Sequence, residues 1–171
     1  MRRTASILVA VALAAALFVP ATGAAQPHRS VGPTLKKVTG TWSWVNTTME
    51  IWKETKKGVI FVSGTEAGTW TGALEGSSVD GFGAKIWPDG RLWALLDISF
   101  QGSVDGKTGT LQILTTAVQA EPDQLMSGEW TITSGTGELA NYRGQGTWVY
   151  AGPDPDHATY TGMIREYVPP A

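Results

Sequence analysis

The stretch TSGTGELANYRGQGTW, residues 133–148, decides between two classes of fold. Gly135, Gly137 and Ala140 spell G-x-G-x-x-A, a pattern that in some enzymes marks the loop around a dinucleotide pyrophosphate. Such a loop needs a helix directly after it, because the helix N-terminus binds the phosphates. Two more glycines follow by residue 146 and leave no room for that helix. The stretch therefore predicts a glycine-rich corner between two antiparallel strands, and no cofactor.

Short runs of alternating apolar and polar residues fill the chain on both sides of this corner. Trp42 and Trp44 share one face of TWSWV, and Trp130 and Ile132 share one face of EWTIT. The best helix candidate, residues 48–56, is short and highly charged. Many short strands with glycine-rich turns indicate an all-β sandwich or barrel. The predicted strand segments are 41–45, 58–64, 68–72, 84–87, 92–100, 109–116, 129–133, 146–150 and 159–167, and the turns include Asp80-Gly81, Pro88-Asp89-Gly90, Asp105-Gly106 and Gly152-Pro153-Asp154.

Two stretches resemble proteins of the allene oxide cyclase-like barrel superfamily, which includes uncharacterised exported bacterial proteins and, at a greater distance, dirigent proteins. The first is the corner itself, and the second is FQGSVDGKTGTLQI, residues 100–113. The resemblance covers roughly residues 38–168 and implies a single antiparallel barrel of about eight strands, related in shape to the lipocalin-type (calycin) barrels. Enzymes on this fold hold an acidic residue and aromatic groups in the lumen. The motif residues are structural ones, namely Gly135, Gly137, Arg143, Gly144 and Gly146.

The N-terminus is typical of a secretory signal peptide. Arg2 and Arg3 precede a thirteen-residue apolar run, residues 7–19, and small residues follow up to Ala25. The apolar run is shorter than the roughly 20 residues that span a bilayer. We therefore predict a signal peptide over residues 1–25, a flexible leader over 26–37, a barrel domain over 38–168, and a secreted or periplasmic protein that has no membrane segment after cleavage.

Composition excludes several functions. The net charge is −2 and there is no basic stripe, so nucleic acid is not an expected partner. The chain has no Cys and only two His residues, so neither a disulfide framework nor a metal site is expected. It has no G-x-S-x-G motif and no thiol for nucleophilic catalysis. We expect a monomer or a small homo-oligomer.

The candidate ligand-binding residues are aromatic. Eight Trp residues are many for a chain of 171, and those on alternating faces either fill the core or form an apolar binding surface. Carboxyl groups facing a lumen would act as acids or bases, whereas carboxyls facing solvent would have no such role. The ligand-binding candidates are Trp42, Trp44, Trp130, Trp148 and Tyr150, and the weak catalytic candidates are Glu50, Asp97 and Glu166.

Three functions remain open on this evidence. The first is a barrel that binds a small apolar or aromatic molecule. The second is an isomerase or cyclase on the same barrel, which requires a buried carboxyl in a pocket. The third is a structural or surface-interaction module with a filled barrel and an exposed apolar patch. The sequence favours binding over catalysis.

Overall fold

Eight antiparallel strands form one closed ring in the computed structural model, which describes residues 34–150 and 157–167. The predicted signal peptide and most of the predicted leader lie outside the described residues, as does the predicted turn at residues 152–154. The strands are β1 (Lys36–Glu54), β2 (Ile60–Gly72), β3 (Leu74–Ile86), β4 (Leu92–Val104), β5 (Lys107–Gln119), β6 (Ser127–Gly137), β7 (Tyr142–Tyr150) and β8 (His157–Glu166).

Each strand pairs with its neighbours in sequence, and the first strand pairs with the last. Lys36 to Ser43 on β1 lie opposite Ile164 to His157 on β8, which closes the ring. Closure removes the exposed sheet edges that would otherwise invite aggregation. Beyond Ser43, β1 continues with β2 as a hairpin whose register shifts twice, between Asn46 and Thr48 and between Ile51 and Lys53.

The glycine-rich corner predicted from residues 133–148 is confirmed. β6 ends at Gly137, which has a positive φ of 61°, and β7 begins at Tyr142. Between them the Leu139 side chain is fully buried and closes this end of the barrel. The Arg143 guanidinium donates to the Tyr142 carbonyl at 2.6 Å and to the Ala140 carbonyl at 3.1 Å, which fixes the corner.

The two ends of the barrel differ. The end with the β2–β3, β4–β5 and β6–β7 connections, called the closed end here, is filled by buried Leu74, Val104 and Leu139. The other end, called the open end, carries the β1–β2, β3–β4 and β5–β6 connections. A Cβ placed on Gly90 would lie 3.4 Å from Pro122, so the β3–β4 and β5–β6 connections touch there.

Two sequence expectations are wrong. The predicted turn at Asp80-Gly81 is the middle of β3, whose pairing with β2 and β4 runs through both residues. Segment 48–56 is not a helix, because β1 extends through it to Glu54. Neither segment alternates between apolar inward and polar outward residues. In β3 the buried position 80 is an Asp, and in β1 every residue from 45 to 54 is exposed. The predicted segments 58–64 and 68–72 belong to the single strand β2.

Candidate functional site

A cavity of about 160 Å³ lies in the lumen at the open end. Its walls are mostly apolar and include three Trp rings. A volume of this size matches an engineered apolar cavity of about 150 Å³ that accommodates benzene, and it is smaller than the roughly 300 Å³ at which drug-sized sites begin. The residues that line it are Trp42, Trp44, Asn46, Met49, Val62, Glu66, Phe82, Ala84, Ile86, Leu92, Ala94, Leu96, Ala117, Met126 and Trp148.

Three of the five predicted ligand-binding residues, Trp42, Trp44 and Trp148, line this cavity. The Trp42 ring lies 4.6 Å from the Trp44 ring and edge-on to the Trp148 ring at 5.8 Å, measured between centroids. Tyr150 packs edge-on against Trp44 at 5.7 Å, at the border of the cluster. The Trp148 indole donates to the Thr115 hydroxyl at 2.9 Å, which fixes that ring in place.

Trp130 lies apart from the cavity, in the filled part of the barrel. Its indole donates to the carbonyls of Thr147 and Thr161, both at 3.2 Å. Its ring sits edge-on to Tyr160 at 6.4 Å and close to the place where a Cβ on Gly162 would stand. These contacts give Trp130 a structural role, in which its ring fills the space that two facing glycines leave free.

A buried polar cluster adjoins the cavity below Trp42. The Asp80 side chain has no solvent exposure, and the Trp70 indole donates to the neighbouring Ser78 hydroxyl at 3.0 Å. A Cβ on Gly68 would lie 2.9 Å from Trp42 Nε1 and 3.3 Å from Asp80 Oδ2, so these polar atoms converge on a point that only a glycine leaves open. We call Trp42 Nε1, the Ser78 hydroxyl and the Asp80 carboxyl the polar floor.

The polar floor has unused hydrogen-bonding capacity. Among the described residues, no donor lies in hydrogen-bonding geometry with either carboxyl oxygen of Asp80. No acceptor among them lies in such geometry with Trp42 Nε1. Burial raises the pKa of Asp80 from 3.8 to about 6, and the nearby Ser78 hydroxyl partly offsets that rise. Buried polar atoms without a partner are costly and mark places where a water or a ligand belongs.

A second buried carboxyl faces the first. Glu66 on β2 lies directly opposite Asp80 on β3 in the strand register, and both side chains point into the barrel. Opposite residues on antiparallel strands have Cβ atoms about 5 Å apart. Glu66 also lines the cavity, so the lumen presents one carboxyl to a bound molecule and a second one behind it.

The carboxyls singled out in the sequence lie elsewhere. Glu50 is exposed on the β1–β2 hairpin, and Asp97 is exposed on the outer face of β4. Glu166 accepts a hydrogen bond from the Lys107 ammonium at 2.6 Å in a half-exposed ion pair at the closed end. None of the three contributes to the lining of the cavity.

The lumen acids were missed for an identifiable reason. Asp80 is followed by Gly81, and Asp-Gly is a strong turn signal. The sequence did contain a usable signal, since Glu66, Gly68 and Trp70 are spaced two residues apart and so share one face of β2. An acid in phase with a buried Trp predicts an inward-facing carboxyl.

Within residues 34–150 and 157–167, no helix is long and apolar enough to cross a bilayer. In the same residues, no three His, Asp or Glu side chains come close enough together to hold a metal ion.

The fold and the cavity together define a small, closed, eight-stranded antiparallel barrel with an aromatic lumen. Residues 38–161 match the family model described as "Protein of unknown function (DUF3224)". The chain therefore belongs to the DUF3224 family. The predicted single antiparallel barrel of about eight strands is confirmed.

The same fold is found in a solved structure. A protein of unknown function from the DUF3224 family of Shewanella oneidensis MR-1 superposes with a TM-score of 0.66 and 17% identity, over 79% of this chain and all of that one. The pterocarpan synthase dirigent protein GePTS1 aligns with a TM-score of 0.47 and 17% identity, over 86% of this chain and all of that one. No curated protein matches the chain by sequence.

Proposed function

We propose that this protein binds one small, mostly aromatic or apolar molecule in the cavity at the open end of the barrel. The observation that carries the proposal is the cavity itself, an unfilled space of about 160 Å³ with aromatic walls in a barrel whose other end is filled with side chains. A ligand of roughly the size of benzene or phenol fits this volume.

The polar floor supports a more detailed version of the proposal. A ligand that stacks on Trp42 and carries one hydroxyl group would reach the Asp80 carboxyl, which lies behind the cavity lining, through a bridging water. An acceptor on the same ligand, or a bridging water, would satisfy Trp42 Nε1. A phenol is therefore expected to bind more tightly than benzene, because it satisfies a buried group that benzene leaves unpaired.

Thermal unfolding with small probes tests the proposal. We expect benzene, phenol and cyclohexanone at millimolar concentration to raise the Tm of the protein, because a ligand of the folded state stabilises it by RT ln(1 + [L]/Kd). Ala94 lines the cavity and Ala67 is exposed on the outer face of β2. Ala94→Leu puts three carbon atoms into the cavity, and Ala67→Leu adds the same atoms outside it.

The expected result is a probe-induced rise in Tm for the natural protein and Ala67→Leu, and its loss in Ala94→Leu. Urea unfolding of each variant without probe checks that the variant is folded. An equal rise in Ala94→Leu and Ala67→Leu would place binding outside the cavity and refute the proposal. The absence of any rise in the natural protein at probe saturation would also refute it.

The facing pair of Glu66 and Asp80 favours one second candidate function, an isomerase that moves a proton within its substrate. A carboxylate that removes a proton beside a carboxyl that holds one is the arrangement that general acid–base catalysis needs. Glu66, which lines the cavity, would take the proton from a carbon next to a carbonyl. Asp80 would hold a proton below about pH 6, because burial raises its pKa to about 6.

Proton exchange distinguishes an isomerase from a binding protein. Cyclohexanone in D₂O should exchange its hydrogens next to the carbonyl faster with the protein than in buffer. Glu66→Gln should abolish that acceleration while leaving the probe-induced rise in Tm in place. Exchange at the buffer rate in the natural protein would rule out the acid–base function and leave the binding proposal standing.

A further inference from the structure

The outer surface of β3, β4 and β5 carries an apolar patch. The inner surface of the same strands lines the cavity. Trp93 on β4 lies beside Val118 on β5. Leu95, two residues after Trp93 on β4, is a diagonal neighbour of Leu114 on β5. Each of these side chains points away from the lumen, and Trp93 is 45% exposed. With Val79 on β3, which is 65% exposed, these five residues form what we call the β3–β5 outer face.

The β3–β5 outer face has regular strand pairing and one row without side chains. The pairings of β3 with β4 and of β4 with β5 run without a register shift, unlike those of β1 with β2 and of β5 with β6. On β3, Gly81 and Gly83 point outward, and a Cβ added to either would meet no atom within 4 Å. Two sheets pack face to face when side chains of one enter gaps in the other, and the bare glycines provide such a gap beside Trp93 and Leu95.

We infer that the protein forms a twofold dimer in which the β3–β5 outer face packs against the same face of a second copy. The five apolar side chains expose roughly 400 Å², which is within the range of the largest patch on an ordinary monomer and is often functional. A standard interface buries about 800 Å² per partner. The apolar patch supplies about half of that, and the polar rim of Ser, Thr and Gln residues on the same strands supplies the rest.

The charges of the face are self-complementary. Lys85 lies opposite Trp93 at one end of the patch, and Asp97 lies inside the face, between Gly81 on β3 and Leu114 on β5. A twofold axis that places the strands of the two copies antiparallel brings Asp97 of each copy toward Lys85 of the other. This pairing of opposite charges favours the antiparallel orientation and disfavours the parallel one, in which like charges meet.

Sedimentation velocity over a range of concentrations tests the inference. Leu95 on the patch and Val149 on β7 are outward-facing and almost equally exposed, at 41% and 43%. Leu95→Lys brings two ammonium groups together across the axis, and Val149→Lys adds the same charge on another wall of the barrel. We expect a dimer for the natural protein and for Val149→Lys, and a dissociation constant raised more than about tenfold for Leu95→Lys. A monomeric natural protein, or a dimer unaffected by Leu95→Lys, would overturn the inference.

A crosslinking experiment tests the geometry independently, because the chain contains no cysteine. Gly83→Cys places a single thiol in the row of the outer face that lacks side chains, and Thr147→Cys places one at an exposed position of β7. A bifunctional maleimide reagent with a short spacer should convert the Gly83→Cys protein to covalent dimers and leave the Thr147→Cys protein uncrosslinked. Equal crosslinking of both proteins would contradict the proposed axis. The result does not depend on whether the lumen binds a ligand.

Discussion

Replacing Asp80 by Asn is expected to change how the stability of the barrel depends on pH. Asp80 is fully buried, and burial raises its pKa from 3.8 to about 6. The folded state therefore holds the proton more tightly than the unfolded chain does. For this group, stability is greatest below pH 3.8 and is lost as the pH rises through 6.

The size of the effect follows from the difference in pKa between the folded and unfolded states. Each pKa unit corresponds to 1.36 kcal/mol, so a shift from 3.8 to about 6 lowers the free energy of unfolding by about 3 kcal/mol between pH 3 and pH 7. Asn has nearly the same shape and cannot ionise. The free energy of unfolding of the Asp80→Asn variant, relative to the natural protein, should rise by about 3 kcal/mol over this range, on top of a constant offset from the new amide.

Urea unfolding followed by Trp fluorescence at pH 3, 4, 5, 6 and 7 measures this difference. The m-value should be the same in both proteins, since the fold does not change. Asp123→Asn is the matched control, because it removes the same kind of charge at an exposed position of the β5–β6 connection. A flat difference for Asp80→Asn, or one that falls as the pH rises, would refute the reasoning that burial controls this carboxyl.

Three other predictions concern the core and the chain terminus. Tyr160→Phe should lower the free energy of unfolding by about 1–3 kcal/mol in urea titrations, because the Leu74 amide donates to the Tyr160 hydroxyl at 2.8 Å and would lose its acceptor; no loss would show that water replaces the hydroxyl. Gly68→Ala should cost about 1–3 kcal/mol in the same assay, since its Cβ would press on the Ser78 hydroxyl; an unchanged midpoint would mean that the polar floor gives way. N-terminal sequencing of the protein from culture medium or periplasm should find a start at residue 25 or 26, and an intact Met1 would contradict the signal-peptide prediction.

The barrel was predictable because its lumen obeys a simple alternation over much of the chain. In β1, β6 and β7 the inward positions carry Trp42, Trp44, Trp130, Ile132 and Trp148, while the outward positions are mostly small and polar. Period-two alternation then marks both the strand and its buried face. The aromatic part of the candidate site was predictable for the same reason.

The acidic part of the site was not predictable in this way. The sequence LEGSSVDGFG of β3 holds several glycines and serines, and its inward positions include Ser78 and Asp80. A strand whose buried face is polar has no hydrophobic period, so its turn-like residues dominate the interpretation. What makes β3 a strand is tertiary, namely continuous pairing on both sides from Gly76 to Ile86.

The pairing of β1 with β8 has a consequence for the order of folding. All other neighbouring strands are adjacent in sequence. Here the Thr39 hydroxyl donates to the Tyr160 carbonyl, and the two residues are 121 positions apart in the chain. Bringing such distant segments together costs about 4 kcal/mol of chain entropy, which only the finished ring recovers. A chain still emerging from a ribosome can form its hairpins one after another. It can enclose the lumen only after the last strand has been released. The pairing of β1 with β8 is therefore the final step in forming the lumen.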